Sequence, residues 1–485
     1  FQRWRDEMTN ENFLPTDELG YGGIGFGTSP NVSSDDVYRT GDAFMGRLHY
    51  VYDQRYLITA TIRRDGYSAF GLANPRATFP AIALGWVFSE EKFLHRPDWF
   101  EYGKLRLSWG KNGNRAVGTY AAFMQLAPRK YIYVDPATGS LVTANTFYAS
   151  AMANPNLKWE STTSWNIGKD LTFLKGRLSA SLDVYKKITT DLLVSRELPS
   201  LIGYSSVMSN IGEVQNTGVE LSLNSTNIRM DKLTWRTSFS LAYNKNKITH
   251  LYGIMEDVKD ADGNVIGQRE ADDIKNKRFI GHDIDEIWDY KVVGIWQEEE
   301  REEAAKYGQQ PGDVHLLHKD INYNYDNTYK EFQGTTMPRL RWSMRNDFTL
   351  FKNFNISFNM YSYIGHKKTL GRFTNDNALL NVTNQIKRDY WTPENRNNEY
   401  PRLANKKPAG VSYAIYKNAS FLRFDNISIG YTFPKKLIEP LRIQNLNVNP
   451  TMNNAGYISG WPGYDPENSD ANTPRVIYFG INLTL

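Results

Sequence analysis

Cysteine is absent from the 485 residues, so no disulfide and no thiolate ligand or nucleophile can be built. Long apolar runs are missing as well. The run Ala81–Phe88 falls far short of the 18 or more apolar residues that a membrane-crossing helix needs. Charge of one sign is also lacking, with 57 basic against 53 acidic residues and a net +4. The basic residues are dispersed rather than gathered on one stripe, which excludes a typical nucleic-acid footprint. Mean hydropathy is -0.55, a value shared by soluble proteins and by barrels whose lumen and loops are polar. Bulk hydropathy therefore decides nothing. Aromatic residues are plentiful at 14%, with 30 Tyr and 12 Trp.

What is there is a rhythm of period two. Phe354, Ile356, Phe358 and Met360 alternate with Asn355, Ser357, Asn359 and Tyr361. Leu178, Ala180, Leu182 and Val184 alternate with Arg177, Ser179, Ser181 and Asp183. Leu233, Trp235, Phe239, Leu241 and Tyr243 likewise oppose Arg236, Ser238, Ser240 and Asn244. Successive strand side chains point to opposite faces, so each segment has one apolar and one polar side. Many such segments describe a sheet between lipid and a wet lumen.

Strands are predicted at Ala43–Tyr52, Tyr56–Arg63, Thr78–Phe88, Lys104–Gly110, Thr162–Leu171, Arg177–Tyr185 and Thr217–Leu223. Six more follow at Leu233–Asn244, Leu340–Leu350, Phe354–Tyr363, Leu422–Thr432, Leu441–Val448 and Val476–Leu485. Their joins alternate short and long, as periplasmic turns and extracellular loops do in outer-membrane barrels. Residues 1–41, 245–339 and 364–421 are read as extracellular loops. The fold class expected is all-β: an antiparallel transmembrane β-barrel. An odd set of about 13 strands whose end strands run the same way cannot close as an all-antiparallel barrel. The expectation is a C-terminal portion, residues 1–485, of a plugged barrel of about 22 strands. A soluble β-sandwich also alternates, but it explains neither the turn pattern nor loops of roughly 50 to 90 residues.

Local motifs stand out along the chain: Phe79-Pro80-Ala81-Ile82-Ala83-Leu84-Gly85-Trp86, Leu107-Ser108-Trp109-Gly110 and Asn154-Pro155-Asn156-Leu157-Lys158-Trp159-Glu160. Tyr390-Trp391-Thr392-Pro393-Glu394-Asn395 with Tyr400-Pro401-Arg402, Ser420-Phe421-Leu422-Arg423, and Gly463-Tyr464-Asp465-Pro466-Glu467 follow. In this order they resemble the motifs of the SusC/RagA family of TonB-dependent outer-membrane importers. The resemblance implies an integral protein of the bacterial outer membrane that imports oligosaccharides, or alternatively oligopeptides. It further implies an N-terminal plug worked by a TonB complex and a SusD-like surface lipoprotein as partner. Enzymatic activity is not expected. The tail from Gly480 through Leu483 to Leu485 is similar to the signal that barrel-assembly machinery reads, although it ends on Leu rather than Phe. A non-transporting, surface-bound β-rich binding protein is the competing function.

Candidate chemistry is sparse. Asp320, Asn322, Asn324, Asp326, Thr328 and Glu331 occupy places one, three, five, seven, nine and twelve of an EF-hand-like calcium loop. Tyr325 stands where such a loop wants glycine, and a plain polar loop explains the same residues. His315, His318 and Asp320 have ligand chemistry without a fourth member. Gly22–Gly27 lacks the strand and helix of a dinucleotide fingerprint. Glu298–Tyr307 reads as a short solvated helix stopped by Gly308. Loop carboxylates stand in no glycosidase motif. For substrate or partner contact the candidates are Tyr390, Trp391, Trp461 and Tyr464, with loop bracing as their structural alternative.

Overall fold

The computed structural model describes residues 2–12, 29–198, 200–204, 206–260, 262–318, 325–369, 389–408, 410–468 and 471–485. Its centre is one antiparallel sheet of 13 strands. They are β1 (Gly41–Tyr52), β2 (Tyr56–Tyr67), β3 (Arg76–Trp86), β4 (Phe100–Asn114), β5 (Glu160–Phe173), β6 (Leu178–Thr190) and β7 (Glu213–Met230). β8 (Leu233–His250), β9 (Leu340–Leu350), β10 (Phe354–Ile364), β11 (Phe421–Thr432), β12 (Asn445–Ser459) and β13 (Val476–Thr484) complete it. Sheet neighbours are sequence neighbours throughout, so the wall is an up-and-down meander with β1 and β13 at its edges.

The register sorts the two faces. One cross-strand row runs Tyr50, Ile58, Leu84, Leu107, Ile167, Val184, Val219, Tyr243, Leu340, Ile364 across ten consecutive strands. Every member is apolar or tyrosine. On the opposite face runs Asp170, Ser181, Ser222, Ser240, Ser343, Tyr361, Arg423. Ile167, Val184 and Leu84 are about half exposed, as side chains meant for hydrocarbon are when only protein surrounds them. An apolar row that crosses ten strands is not the scattered apolar surface of a typical soluble monomer. At the short-turn end it carries an aromatic girdle, with Tyr52–Tyr56, Trp86–Phe88 and Trp99–Phe173 ring centroids 6.4, 5.8 and 5.9 Å apart. Such belts sit at membrane–water interfaces.

All 13 expected strands are present, with two notable shifts. The turn expected at 224–232 shrinks to Asp231–Lys232, because β7 runs on through a register irregularity between Thr226 and Ile228. That bulge interrupts the period-two pattern that marks a strand. The strand expected at Leu441–Val448 begins at Asn445 and continues to Ser459. A 3₁₀ turn at Glu439–Leu441, with Pro440 and a left-handed Arg442 (φ 59°), delays its start. Its upper half hides behind a second bulge, where Asn454 takes φ 50°.

The loops have folds of their own. Residues 1–41 include a hairpin of Gln2–Asn12 and Ser29–Arg39. The short helix expected near residues 298–307 is there as a 3₁₀ turn, Glu298–Glu300, followed by an α-turn, Arg301–Lys306. Phe70, Phe79, Leu157 and Trp159 form a small buried cluster that joins the 68–75 turn to the 115–159 loop, and Phe70 and Trp159 lie 4.9 Å apart. A side chain at Gly71 would run into the Pro155 carbonyl, so this closure needs glycine.

Candidate functional site: lumen wall and extracellular loop body

On the polar face the charges are organised by register. Gly85, Arg106, Gly168 and Asp183 stand in one row, and a Cβ at Gly168 would lie 2.6 Å from the Arg106 guanidinium. The glycine therefore opens the berth in which Arg106 donates to Asp170 at 2.8 and 3.0 Å and to Asp183 at 3.0 and 2.8 Å. Ser181 donates to Asp170 at 2.8 Å. Farther round the wall, Arg345 binds Asp347 at 2.8 Å.

Above the wall the two longest loops and the last one form a packed body. Buried Tyr290, Val314 and Leu316 from one loop meet Trp391, Tyr413 and Ile415 from the next and Trp461 from the last. The recurring motifs are its stitches. Trp391 donates its backbone N–H to the Tyr400 carbonyl at 3.1 Å and its indole N–H to Gln297 at 3.1 Å. Fully buried Asp313 accepts from Arg402 Nε at 2.7 Å and from the Gln310 and Lys406 backbone N–H groups at 2.9 Å each. A carboxylate without solvent must be paired and hydrogen-bonded in this way.

The Ser420–Arg423 and Gly463–Glu467 motifs meet each other. Arg423, 2% exposed, donates to Asp465 at 2.6 Å and to Asn454, and its Nε lies 2.8 Å from Glu467. The Phe421 and Tyr457 rings flank the guanidinium at 5.5 and 5.2 Å. Tyr361 of β10 donates to Glu467 at 2.6 Å. Burial alone would raise the Asp465 carboxyl, but the Glu467 N–H, Thr473 and Arg423 outweigh it and hold it below the usual carboxylate range. The bulge that hid β12 is what aims Asn454 at this cluster.

The sequence-predicted residues divide. Trp391 and Trp461 lie inside the loop body, 5% and 7% exposed, while Tyr390 is exposed at its surface. The Tyr464 carbonyl accepts from Tyr457. Asp320, Asn322 and Asn324 fall outside the described residues. Asp326 caps the 3₁₀ turn Asn327–Tyr329, and Glu331 lies in the strand Lys330–Thr335, 3.5 Å from Lys291. Among the described residues no group of three or more His, Asp or Glu is placed to hold a metal. His315 stacks on Trp296 at 3.5 Å, and burial lowers its pKa. Gly480 and Leu483 pair with Asn449 and Leu446 in the edge strand β13; Leu485 lies one residue beyond it and is exposed. The buried ion pairs Asp313–Arg402 and Arg423–Asp465 were not assigned from sequence. A charge inside an apolar motif, as in Phe421-Leu422-Arg423, was the available signal.

His366 gives this body a pH response. It sits where the 365–420 loop leaves β10, 3% exposed, bridged to Thr335 and with Nδ1 lacking a partner. Burial, then Lys368 and Arg341, pulls its imidazole down to about 4. An unfolded histidine titrates near 6.5, so the opened loop binds the proton more tightly. The stability His366 contributes is complete above about pH 6.5 and is lost as the pH falls towards 4. Hydrogen exchange at residues 365–369 and 416–420 should lose protection between pH 7 and 5, and a His366→Gln receptor should lose less of it.

The family model for the TonB dependent receptor-like β-barrel matches residues 2–454. The chain belongs to that family. It is 31% identical over 467 residues to the TonB-dependent receptor SusC of Bacteroides thetaiotaomicron, covering 91% of this chain and 43% of that one. The TonB-dependent receptor P26 of Formosa agariphila is 28% identical over 487 residues, covering 91% and 46%. This TonB-dependent receptor barrel also superposes on the RagAB peptide transporter with a TM-score of 0.75 at 21% identity, over 99% of the chain and 52% of that structure. It is thus SusC-like in sequence and RagA-like in fold, an integral outer-membrane protein of a receptor and transporter family. The receptor chain described here spans about half the length of the relatives it matches.

Proposed function

We propose that this receptor chain forms the wall and the extracellular roof of a TonB-dependent importer of oligosaccharides, working beside a SusD-like surface lipoprotein. The observation that supports it is a two-faced wall whose polar side is roofed by a folded loop body. A sealed membrane anchor needs no such lumen, and a soluble binder needs no such lipid face. TonB would supply the energy through the plug that the resemblance implies. Tyr390 and Tyr464 are the aromatic contacts we assign to cargo or lipoprotein. The second reading is oligopeptide import by the same architecture; RagAB, the fold neighbour, is a peptide transporter.

Radiolabelled oligosaccharide and oligopeptide mixtures supplied to receptor-bearing cells test the proposal. Uptake should vanish when the TonB complex is inactivated, and the class retained identifies the cargo. A receptor that leaves the outer-membrane fraction without detergent would instead be a surface binding protein. Calcium held by Asp320, Asn322, Asn324, Asp326 and Glu331 belongs to the same proposal on the strength of their spacing. Terbium luminescence tests it, and a signal unchanged by Asp320→Ala removes it.

A further inference from the structure

A concavity of about 440 Å³ opens on the polar face between β7 and β10, the size range of a small-ligand pocket. Its layout follows from register. Glu220 pairs with Ala242, Ala242 with Arg341, and Arg341 with Tyr363, so the four side chains share one row on one face. The neighbouring row supplies Ser222, Ser240 and Ser343 as a hydroxyl floor. Ala242, the smallest side chain of its row, leaves a notch between a carboxylate and a guanidinium. Two strand spacings separate their backbones by about 10 Å.

Both charged groups are exposed. Arg345 is spent on Asp347, and Arg423 on Asp465 and Glu467. Arg341 instead has its guanidinium 5.3 Å from the centre of the Tyr363 ring. That stacking holds the planar fork while leaving its N–H edges to bind a carboxylate in two-pronged fashion. Glu220, two strands away, can accept from an ammonium. Neither charge alone defines the site, because an anion attracted by Arg341 also meets the field of Glu220 about 10 Å away, a distance comparable to the Debye length of about 8 Å and therefore only partly screened. A ligand carrying both charges satisfies both groups.

We infer that this notch is a cargo subsite that clamps a zwitterion, with its carboxylate on Arg341 and its ammonium on Glu220. The inference rests on the import reading above and adds the charge pattern of the cargo. An extended tripeptide, at about 3.3 Å per residue, carries its ammonium and carboxylate about as far apart as those two strand spacings. They also occur in an oligosaccharide that alternates a free amino sugar with a uronic acid. The serines suit the backbone amides of the first and the hydroxyls of the second.

The test is binding to the detergent-purified full-length receptor of trialanine, its C-terminal amide, its N-acetyl form and a glucosamine–glucuronate disaccharide. One zwitterion should bind at least tenfold more tightly than its capped forms, and which one it is identifies the source. For trialanine, Arg341→Gln should lower affinity to that of the amide on native receptor, and Glu220→Gln to that of the acetylated form. For the disaccharide, the matching controls are its methyl ester and its N-acetyl form. Arg341→Lys, which keeps the charge, should fall between native and Arg341→Gln. Equal binding of free and capped forms, no binding of either zwitterion, or indifference to both substitutions overturns the clamp. TonB-dependent uptake of radiolabelled nutrient by the same cells is measured alongside. Normal uptake with charge-blind binding removes only the clamp, whereas no uptake by native receptor removes the import reading itself.

Discussion

Arg423→Ala should destabilise the receptor by about 3–5 kcal/mol, the usual cost of removing one partner from a buried ion pair. Arg423 and Asp465 are 2% and 1% exposed, so the substitution strands a carboxylate with no water to turn to. Glu467 is left with Tyr361 as its donor, and the Asn454 side-chain oxygen loses the arginine at the same time. Guanidinium titration of the receptor folded in lipid vesicles, followed by tryptophan fluorescence, measures the loss. Arg236→Ala supplies the reference, since that arginine is exposed on the same face, and exposed substitutions usually stay within about 0.5 kcal/mol. Similar losses at both positions would show that the cluster carries no special weight. Arg423→Met combined with Asp465→Leu should recover most of the stability, because an apolar pair of similar volume requires no desolvated charge. The double variant separates the cost of a broken pair from the worth of an intact one.

The wall was legible in the sequence because its physics is local. Lipid on one side and water on the other force alternation within a single strand, and Phe354 to Tyr361 display it without help from any neighbour. At two places where a bulge added one residue the alternation lost phase and the predicted limits slipped, at Thr226–Ile228 and again near Asn454. The loop body was legible only as motifs. Trp391 and Arg402 could be seen to recur in a family pattern, but their partners Gln297 and Asp313 lie 94 and 89 residues away along the chain. No periodicity encodes a contact of that span. The same holds for the notch. Glu220 and Arg341 face one lumen only through the register of four strands, and each alone reads as an ordinary charge on a polar face. Tryptophan is common both in sugar-binding platforms and in compact loop cores, so Trp391 and Trp461 could be singled out as aromatic candidates, while their burial in the loop body, at 5% and 7% exposure, is not written in composition.

Phe358→Arg should cost about 2–4 kcal/mol, whereas Asn359→Arg should be nearly neutral. The two positions are adjacent and differ only in the face they present. Phe358 pairs with Asn346 on one side and Ile427 on the other, and its ring lies 6.1 Å from that of Phe348. It is the fifth residue of the eleven in β10, which places it near the middle of the hydrocarbon, where a charge is most expensive. Asn359 points the other way, with its amide 3.4 Å from Asp425, so an arginine there gains an acceptor as well as water. Folding titrations in vesicles should therefore separate the variants by several kilocalories, and equal effects would reverse the assignment of lipid and lumen. A depth series sharpens the result. Phe354→Arg, on the same face but at the turn end beside Tyr431, should cost about 0–1 kcal/mol, because the penalty fades towards the interface. A flat series across Phe354 and Phe358 would mean that the face meets protein rather than lipid, since protein burial has no reason to follow distance from a bilayer centre.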